Sequence, residues 1–112
     1  MWGGTDEKAS IESIHASLDA GVTTIDTAPI YGYGYSEELV AKAIGNRRDK
    51  VQILTKFGLR WDSSDGEHFF DLDEKGKTVK IFKNARKQSI LKECEESLRR
   101  LKTDYIDLYQ CH

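Results

Sequence analysis

The chain has 112 residues and a formal net charge of -2, from 17 Lys and Arg against 19 Asp and Glu. This length predicts at most one domain, and a 38% hydrophobic content allows a modest core. The mixed charge gives no reason to expect a nucleic acid or an acidic membrane surface as partner. Two cysteines far apart form no CxxC pair, and no apolar run approaches about 18 residues. We therefore expect a cytoplasmic protein without a membrane anchor.

The first predicted elements are a helix and a buried strand. Thr5 or Asp6 can cap the helix, and Gly21 ends it. The β-branched run Val22–Ile25 then predicts a short buried strand that ends in Asp26. Three apolar residues of the helix recur at helical spacing and should face the core: Ile11, Ile14 and Leu18.

A loop rich in tyrosine and glycine, Tyr31–Tyr35, leads to the second predicted helix. Ser36 is the expected cap, because a hydroxyl group before acidic residues satisfies the free amides at a helix start. The helix should run from about Glu37 to about Ile44, with Gly45 as the residue that follows its C-terminal end. Its predicted apolar face consists of Leu39, Val40, Ala43 and Ile44.

The run Val51–Phe57 predicts the second strand, and Lys56 lies near its C-terminal end. The long segment 58–83 is charged and aromatic. Within it, Phe69-Phe70 and Val79–Phe82 flank a DEKGK turn, a pattern that favours a small β-hairpin over one end of the main sheet. Such a long loop is usually a lid or a specificity element, and a tolerated surface insertion is an equal alternative.

A third helix is predicted from about Lys87 to about Lys102, with Asn84 as a candidate cap. Tyr105–Cys111 predicts the last strand, and His112 follows it. The alternation of helices and strands indicates an α/β fold with a parallel sheet and right-handed crossovers. Three strands cannot close a barrel, so the predicted unit looks like part of something larger. The third predicted helix should bury one apolar face, which consists of Ile90, Cys94, Leu98 and Leu101.

Each predicted strand is followed by a side chain with catalytic potential. Asp26 ends the first strand, Lys56 the second and His112 the third, and Tyr31 lies on the first loop. Parallel strands place their C-terminal ends on one face, so we expect these four residues to converge. A lysine ammonium beside a tyrosine favours the phenolate, a carboxylate orients the lysine, and a histidine can position a substrate oxygen. Such a cluster suits proton delivery to a carbonyl, with hydride from a nicotinamide or flavin.

Each residue also has a simpler interpretation. Asp26 can cap a turn, Lys56 can be a surface lysine, and Tyr31 can be a packing aromatic. His112 need not be ordered.

Two other hypotheses stay open. One is an inactive half-barrel that pairs its open sheet edges with another copy or a partner. The other is a metal-dependent hydrolase with Asp26 and His112 as ligands, which Lys56 disfavours because it would repel a cation.

Three stretches together resemble the aldo-keto reductases, and in particular their bacterial general or stress-type branch. They are GVTTIDTAPIYGYGYSEELVAKAIG, ILTKFG and SLRRLKTDYIDLYQCH. The resemblance extends over residues 1–112, as the N-terminal part of such a domain. It implies strands 2–4 of a (β/α)8 TIM barrel with their helices, not closed on its own, since a full barrel needs about 250 residues.

The resemblance also implies a function, the NADPH-dependent reduction of aldehydes and ketones to alcohols. Asp26 matches the family aspartate, Tyr31 the proton donor, Lys56 the lysine that activates it, and His112 the histidine that orients the carbonyl. Asp26 and Lys56 are also the expected cofactor-binding residues, and no metal is implied. The expected partner is a small carbonyl substrate. Most cofactor contacts are expected outside residues 1–112, so the isolated chain should be inactive.

Overall fold

The computed structural model describes residues 4–62, 64, 66–74 and 76–112, and the side chains of these residues except 4–6 and 74. It contains three α-helices, one 3₁₀ helix (Arg48–Lys50) and two sheets within that part of the chain. The helices are α1 (Gly4–Asp19), α2 (Tyr35–Ile44) and α3 (Lys87–Leu101). The strands are β1 (Thr24–Asp26), β2 (Gln52–Phe57), β3 (Leu59–Arg60), β4 (Glu67–Glu74), β5 (Lys77–Lys83) and β6 (Leu108–Cys111).

The main sheet is parallel and has the order β1-β2-β6. Thr24 pairs with Gln52 at the start of the first ladder, and Leu54 pairs with Leu108 at the start of the second. α2 lies in the first connection and α3 in the second, as parallel pairing requires. The predicted fold class, a partial (β/α) barrel without closure, is confirmed for the described residues.

The core lies between β2 and the helices. Ile53 is completely buried and packs in one cluster with Val40, Ile44, Val51 and Leu101. Because side chains alternate along a strand, the other face of the sheet carries the residues between these positions. The helices therefore cover one face of the sheet, and the residues with catalytic potential can emerge on the other.

The first strand is shorter and less buried than its β-branched sequence predicts. β1 spans only Thr24–Asp26, and Val22 before it is 47% exposed. β1 lies at the edge of the sheet and pairs with β2 alone among the described strands. The prediction of a buried strand over Val22–Asp26 is therefore wrong in its burial, since β-branched residues favour an extended backbone at an edge as well.

The start of α2 differs from the prediction. The helix begins at Tyr35, and the residue before it is Gly34 in the left-handed conformation, with φ 96° and no side-chain cap. The Ser36 hydroxyl instead lies 2.7 Å from the Thr27 hydroxyl. The prediction that Ser36 caps the helix is wrong, because its side chain ties α2 to the end of β1.

The predicted caps of the other two helices do not lie directly before the observed helix starts. α1 begins at Gly4, before both expected caps, and the side chains of Thr5 and Asp6 lie outside the described part. At α3 the residue before the helix is Arg86, which has no side-chain cap of its own. Asn84 accepts a hydrogen bond from the Arg86 amide at 3.1 Å, so it supports the turn just before the helix.

The buried face of α3 is more polar than predicted. Glu93, Ser97 and Leu101, spaced four residues apart, are the buried residues of this helix. Glu93 accepts a hydrogen bond from the Gly58 amide and forms an ion pair with Arg60, which turns this face inward. Three of the four expected core residues are only partly buried: Ile90, Cys94 and Leu98.

The segment 58–83 forms a second, antiparallel sheet with the order β3-β5-β4. β4 and β5 form the predicted hairpin, with Glu74 beside Lys77 at its turn. Its base adjoins the C-terminal end of β2, because the Asn84 amide donates to the Gly58 carbonyl at 2.8 Å. No helix in the described part of the chain is long and apolar enough to cross a membrane.

The last strand is also shorter than predicted, and starts at Leu108 rather than Tyr105. Just before it, the Asp107 carboxylate accepts the Ile53 amide at 2.8 Å and the Arg48 guanidinium at 3.0 Å. A side chain thus replaces a backbone partner at this position, which ends the regular ladder.

Candidate active site

Lys56 lies at the centre of a cluster of polar residues at the C-terminal edge of the parallel sheet. Its Nζ is 2.8 Å from Asp26 Oδ1 and donates to the Thr27 carbonyl at 2.9 Å. The strand register explains this contact, since Asp26 pairs with Leu54, which shares a face with Lys56 two residues on. The lysine side chain is 15% exposed and the aspartate 58%. The ammonium is thus held by one carboxylate and one carbonyl.

Tyr31 stands beside this ion pair on the loop after β1. Lys56 Nζ is 5.4 Å from the centre of the Tyr31 ring, and the tyrosine is 44% exposed. The His112 ring meets the Tyr31 ring edge-on, with centroids 6.0 Å apart and an interplanar angle of 83°. The His112 amide donates to the Phe57 carbonyl at 2.9 Å, which extends the β2–β6 pairing to the histidine. All four predicted residues therefore lie together: Asp26, Tyr31, Lys56 and His112.

The loop that carries Tyr31 is closed by its own backbone. The Gly34 amide donates to the Pro29 carbonyl at 2.7 Å, and the Ser36 amide donates to the Tyr31 carbonyl at 3.2 Å. Gly34 has φ 96°, which glycine adopts most readily. These hydrogen bonds give the loop a tight backbone geometry and link Tyr31 directly to the first turn of α2.

The surroundings of His112 at the C-terminal edge of the sheet shift its pKa. Loss of hydration around the ring lowers the pKa of His112 below its usual value, the Lys56 ammonium lowers it further, and the Asp26 carboxylate partly opposes both. A lowered pKa keeps the imidazole neutral near pH 7. A neutral imidazole has one N–H group that can donate a hydrogen bond to an oxygen atom.

Two further residues near the candidate site, Thr27 and Trp61, were not identified from the sequence. The Thr27 carbonyl, which accepts from Lys56, belongs to the residue directly after Asp26. Trp61 lies 5.7 Å from the Tyr33 ring, and the Arg60 guanidinium lies 5.1 Å from the Trp61 ring centre. A tryptophan four residues after Phe57, where the predicted second strand ends, is a signal that could have indicated an aromatic side chain beside the loop.

The arrangement of these side chains also bears on whether a metal ion could bind at this site. Among the described side chains no group of three or more His, Cys, Asp and Glu could hold a metal ion. Asp26 is engaged by the Lys56 ammonium, whose positive charge would repel a cation at the same oxygen. The hydrolase hypothesis with Asp26 and His112 as ligands therefore has no support from the arrangement.

The edge fits the reacting end of a nicotinamide cofactor better than its phosphates. An ammonium, a carboxylate and a phenol lie together at the C-terminal edge of the sheet. This group suits the carbonyl and ring end of such a molecule. Phosphates prefer free amides at a helix start. In the loop before α2 the amides of Gly34, Tyr35 and Ser36 already donate within the loop. These three amides are therefore not free to bind a phosphate.

A parallel α/β partial barrel with a polar cluster at its C-terminal edge is typical of a segment of a (β/α)8 barrel. The chain is a member of the aldo/keto reductase family, whose sequence model matches residues 1–112. This finding confirms the resemblance that the three sequence stretches indicated.

Relatives are found among curated and solved bacterial proteins. The chain is 51% identical to the aldo-keto reductase YhdN of Bacillus subtilis over 114 residues, which is 100% of this chain and 30% of YhdN. It matches the solved glycerol dehydrogenase AKR11B4 of Gluconobacter oxydans with a TM-score of 0.81 and 44% identity, over 99% of this chain and 31% of that one.

A third relative is an aldo-keto reductase from Klebsiella pneumoniae solved in complex with NADPH. Its TM-score is 0.70 at 30% identity, over 98% of this chain and 31% of that one. The chain thus spans about a third of the length of the relatives that it matches.

Proposed function

We propose that residues 1–112 carry the proton-delivery part of an NADPH-dependent reductase that converts aldehydes and ketones to alcohols. The observation that carries this proposal is the place of Lys56 Nζ, 2.8 Å from Asp26 Oδ1 and 5.4 Å from the Tyr31 ring centre. The family membership and the NADPH complex of the Klebsiella relative support it. The substrate class is a small carbonyl compound.

In this proposal each residue has one role. Tyr31 is the general acid, and its phenolic proton moves to the carbonyl oxygen of the substrate. The Lys56 ammonium stabilises the phenolate that remains, and Asp26 orients that ammonium. His112, neutral near pH 7, donates a hydrogen bond to the carbonyl oxygen and orients it. When bound, the nicotinamide supplies hydride to the carbonyl carbon, and Asp26 and Lys56 are the residues proposed to contact its reacting end.

The isolated chain is expected not to turn over. The amides of Gly34, Tyr35 and Ser36 before α2 are satisfied internally, so this loop offers little to hold the phosphates of a dinucleotide. A test is to incubate the chain with NADPH and 4-nitrobenzaldehyde and to follow NADPH absorbance. Robust turnover that disappears in Tyr31→Phe would overturn this expectation and leave the proposed chemistry standing.

The chemistry itself is tested in a completed barrel. Residues 1–112 replace the matching segment of the Gluconobacter oxydans glycerol dehydrogenase, and NADPH-dependent reduction of 4-nitrobenzaldehyde is measured. Tyr31→Phe should lower kcat by about 10²-fold or more, because general acid catalysis contributes about that much. The matched control is Tyr105→Phe, since Tyr105 is 43% exposed and Tyr31 44%. Equal activity of the two variants would refute Tyr31 as the proton donor.

A second candidate function is association through the open sheet edges, in a chain without catalysis. The observation that favours it is that Val22, just before edge strand β1, is 47% exposed and Leu108 on edge strand β6 is 49% exposed. Unpaired strand edges with apolar neighbours favour pairing with another chain. Size-exclusion chromatography with light scattering decides this candidate, because a monomer at high concentration would count against it.

A further inference from the structure

Glu37 is a completely buried carboxylate on the first turn of α2. Its Oε1 accepts two nitrogens of Arg100, Nε at 2.8 Å and Nη2 at 2.7 Å. Its Oε2 accepts the Thr55 hydroxyl at 2.7 Å. Glu37 therefore joins α2, α3 and β2 at one point, between the helices and the sheet.

One side of this junction supports the loop that carries Tyr31. The Ser36 amide donates to the Tyr31 carbonyl, and Ser36 directly precedes Glu37. The Arg100 stem packs against Gly34 so closely that a Cβ atom there would lie 2.8 Å from Arg100 Cδ. The Glu37–Arg100 pair thus lies directly under the turn that presents the Tyr31 ring.

The other side of the junction holds the strand that carries Lys56. Thr55 is completely buried and directly precedes Lys56 in β2. Because side chains alternate along a strand, the Thr55 hydroxyl faces the helices while Lys56 lies on the opposite face of the sheet, near its C-terminal edge. A hydrogen bond from Thr55 to Glu37 therefore connects the backbone of Lys56 to the backbone of the Tyr31 loop.

We propose that Glu37, held by Arg100, is a positioning residue that sets the distance between Tyr31 and Lys56. The inference rests on the function proposed above for these two residues, and it adds a pair that does not touch the substrate. Glu37 fixes the first turn of α2, and with it the Tyr31 carbonyl, to the neighbour of Lys56. A buried ion pair is often no more stabilising than apolar packing of the same volume, so stability alone is a weak reason for this pair.

The experiment measures the geometry directly in the full 112-residue chain and needs no catalysis. Tyrosine and lysine are isotope-labelled, and the nuclear Overhauser effect between the Tyr31 ring and the Lys56 side chain, whose Nζ lies 5.4 Å from the ring centre, is recorded. Thr55→Val removes only the hydroxyl donor and keeps the shape of the side chain, and Glu37→Gln removes the charge. Asp107→Asn is the matched control, because Asp107 also accepts an arginine and a β2 group, but just before β6, at the opposite end of the sheet.

We expect the Tyr31–Lys56 effect to be lost in Thr55→Val and in Glu37→Gln and kept in Asp107→Asn. The signals of the β4–β5 hairpin should stay dispersed in all three variants. Retention of the effect in Thr55→Val overturns the inference, whether or not Glu37→Gln folds. Equal loss in Asp107→Asn overturns it too, because the pair would then act on general stability. Since the readout is structural, the absence of reductase activity in the completed barrel would refute the proposed function and leave this result unchanged.

Discussion

Lys56 and Asp26 form a 2.8 Å ion pair that bridges the C-terminal ends of two neighbouring parallel strands. A shorter pair exists between Lys42 and Glu7, at 2.6 Å, but it joins two helices on the surface and its lysine is 53% exposed. Lys56 is 15% exposed and also donates to the Thr27 carbonyl. The two lysines therefore form a natural comparison between an ion pair in a candidate site and an ion pair on the surface.

Lys56→Met should abolish most of the activity of the completed barrel. The loss is expected at about 10²-fold or more in kcat, because the phenolate left by proton transfer would lose its neighbouring cation. Lys42→Met is the control and should leave kcat within about twofold, since an exposed ion pair contributes little. Steady-state kinetics with NADPH and 4-nitrobenzaldehyde measure both. Similar rates for both variants would contradict the role of Lys56.

The stability of the chain should fall as the pH decreases below about 6.5 through His112. Loss of hydration and the Lys56 ammonium lower the pKa of His112 in the folded state, whereas the unfolded chain keeps the usual value of 6.5. The unfolded state therefore takes up the proton first, so the contribution of His112 is complete above 6.5 and is lost as the pH falls toward the lower folded pKa. Thermal unfolding at several pH values checks this. His112→Gln should flatten the profile, and an unchanged profile would rule out His112 as its source.

Tyr109→Phe should stabilise the fold. Among the described atoms, the Tyr109 hydroxyl is buried without a hydrogen-bond partner, and the pKa of Tyr109 is raised mainly by burial. Phenylalanine keeps the ring, which packs 5.0 Å from Phe57, and removes the unsatisfied hydroxyl. The free energy of unfolding in urea should rise by about 1–3 kcal/mol. Tyr105→Phe, at an exposed hydroxyl, should change it little; a loss of stability in Tyr109→Phe would show that the hydroxyl is satisfied.

Arg60→Met should destabilise the fold strongly. The Arg60 side chain is 5% exposed and forms ion pairs with three carboxylates: Asp62, Glu93 and Glu96. Burial already raises the pKa of Glu93 against the opposing effect of Arg60. Removal of the cation should lower the free energy of unfolding by about 3–5 kcal/mol. Arg47→Met, in the exposed pair with Asp19, should cost about 0–1 kcal/mol, and a difference of zero between the two would exclude a buried network.

Gly34→Ala should cost more than Gly21→Ala, although both glycines have positive φ, 96° and 99°. A Cβ at Gly34 would lie 2.8 Å from Arg100 Cδ, whereas a Cβ at Gly21 meets nothing within 4 Å. Backbone strain of about 1–3 kcal/mol applies to both sites, so the difference between the two variants isolates the contact with Arg100. Chemical denaturation of both variants measures it. Equal losses would show that Arg100 moves aside freely.

The order of elements could be predicted because it depends on local periodicity. Helical spacing identified α2 and α3, and the run before Phe57 identified β2, all within one or two residues of the observed bounds. The polar contacts could not be predicted in this way. Ser36 was expected to cap α2, but its hydroxyl contacts Thr27. Local sequence patterns do not show with which of several partners a polar side chain forms a hydrogen bond.

A signal for the buried charges was nevertheless present. Glu37, Val40 and Ile44 follow helical spacing, so the glutamate lies on the apolar face of α2. The arginine that pairs with it is 63 residues away in the chain. An acidic residue on an apolar face indicates that a partner exists, and only the packing of α3 against α2 identifies it as Arg100.

The sequence by itself determined that this chain alternates helices with parallel strands and that Asp26, Tyr31, Lys56 and His112 end up at one edge. Strand direction is enough for that result, because every parallel strand ends on the same face of the sheet. The tertiary structure decided how the edge is held. The contacts among Glu37, Thr55 and Arg100 join elements distant in sequence, and they exist only because helix packing brings a buried carboxylate to a donor that satisfies it.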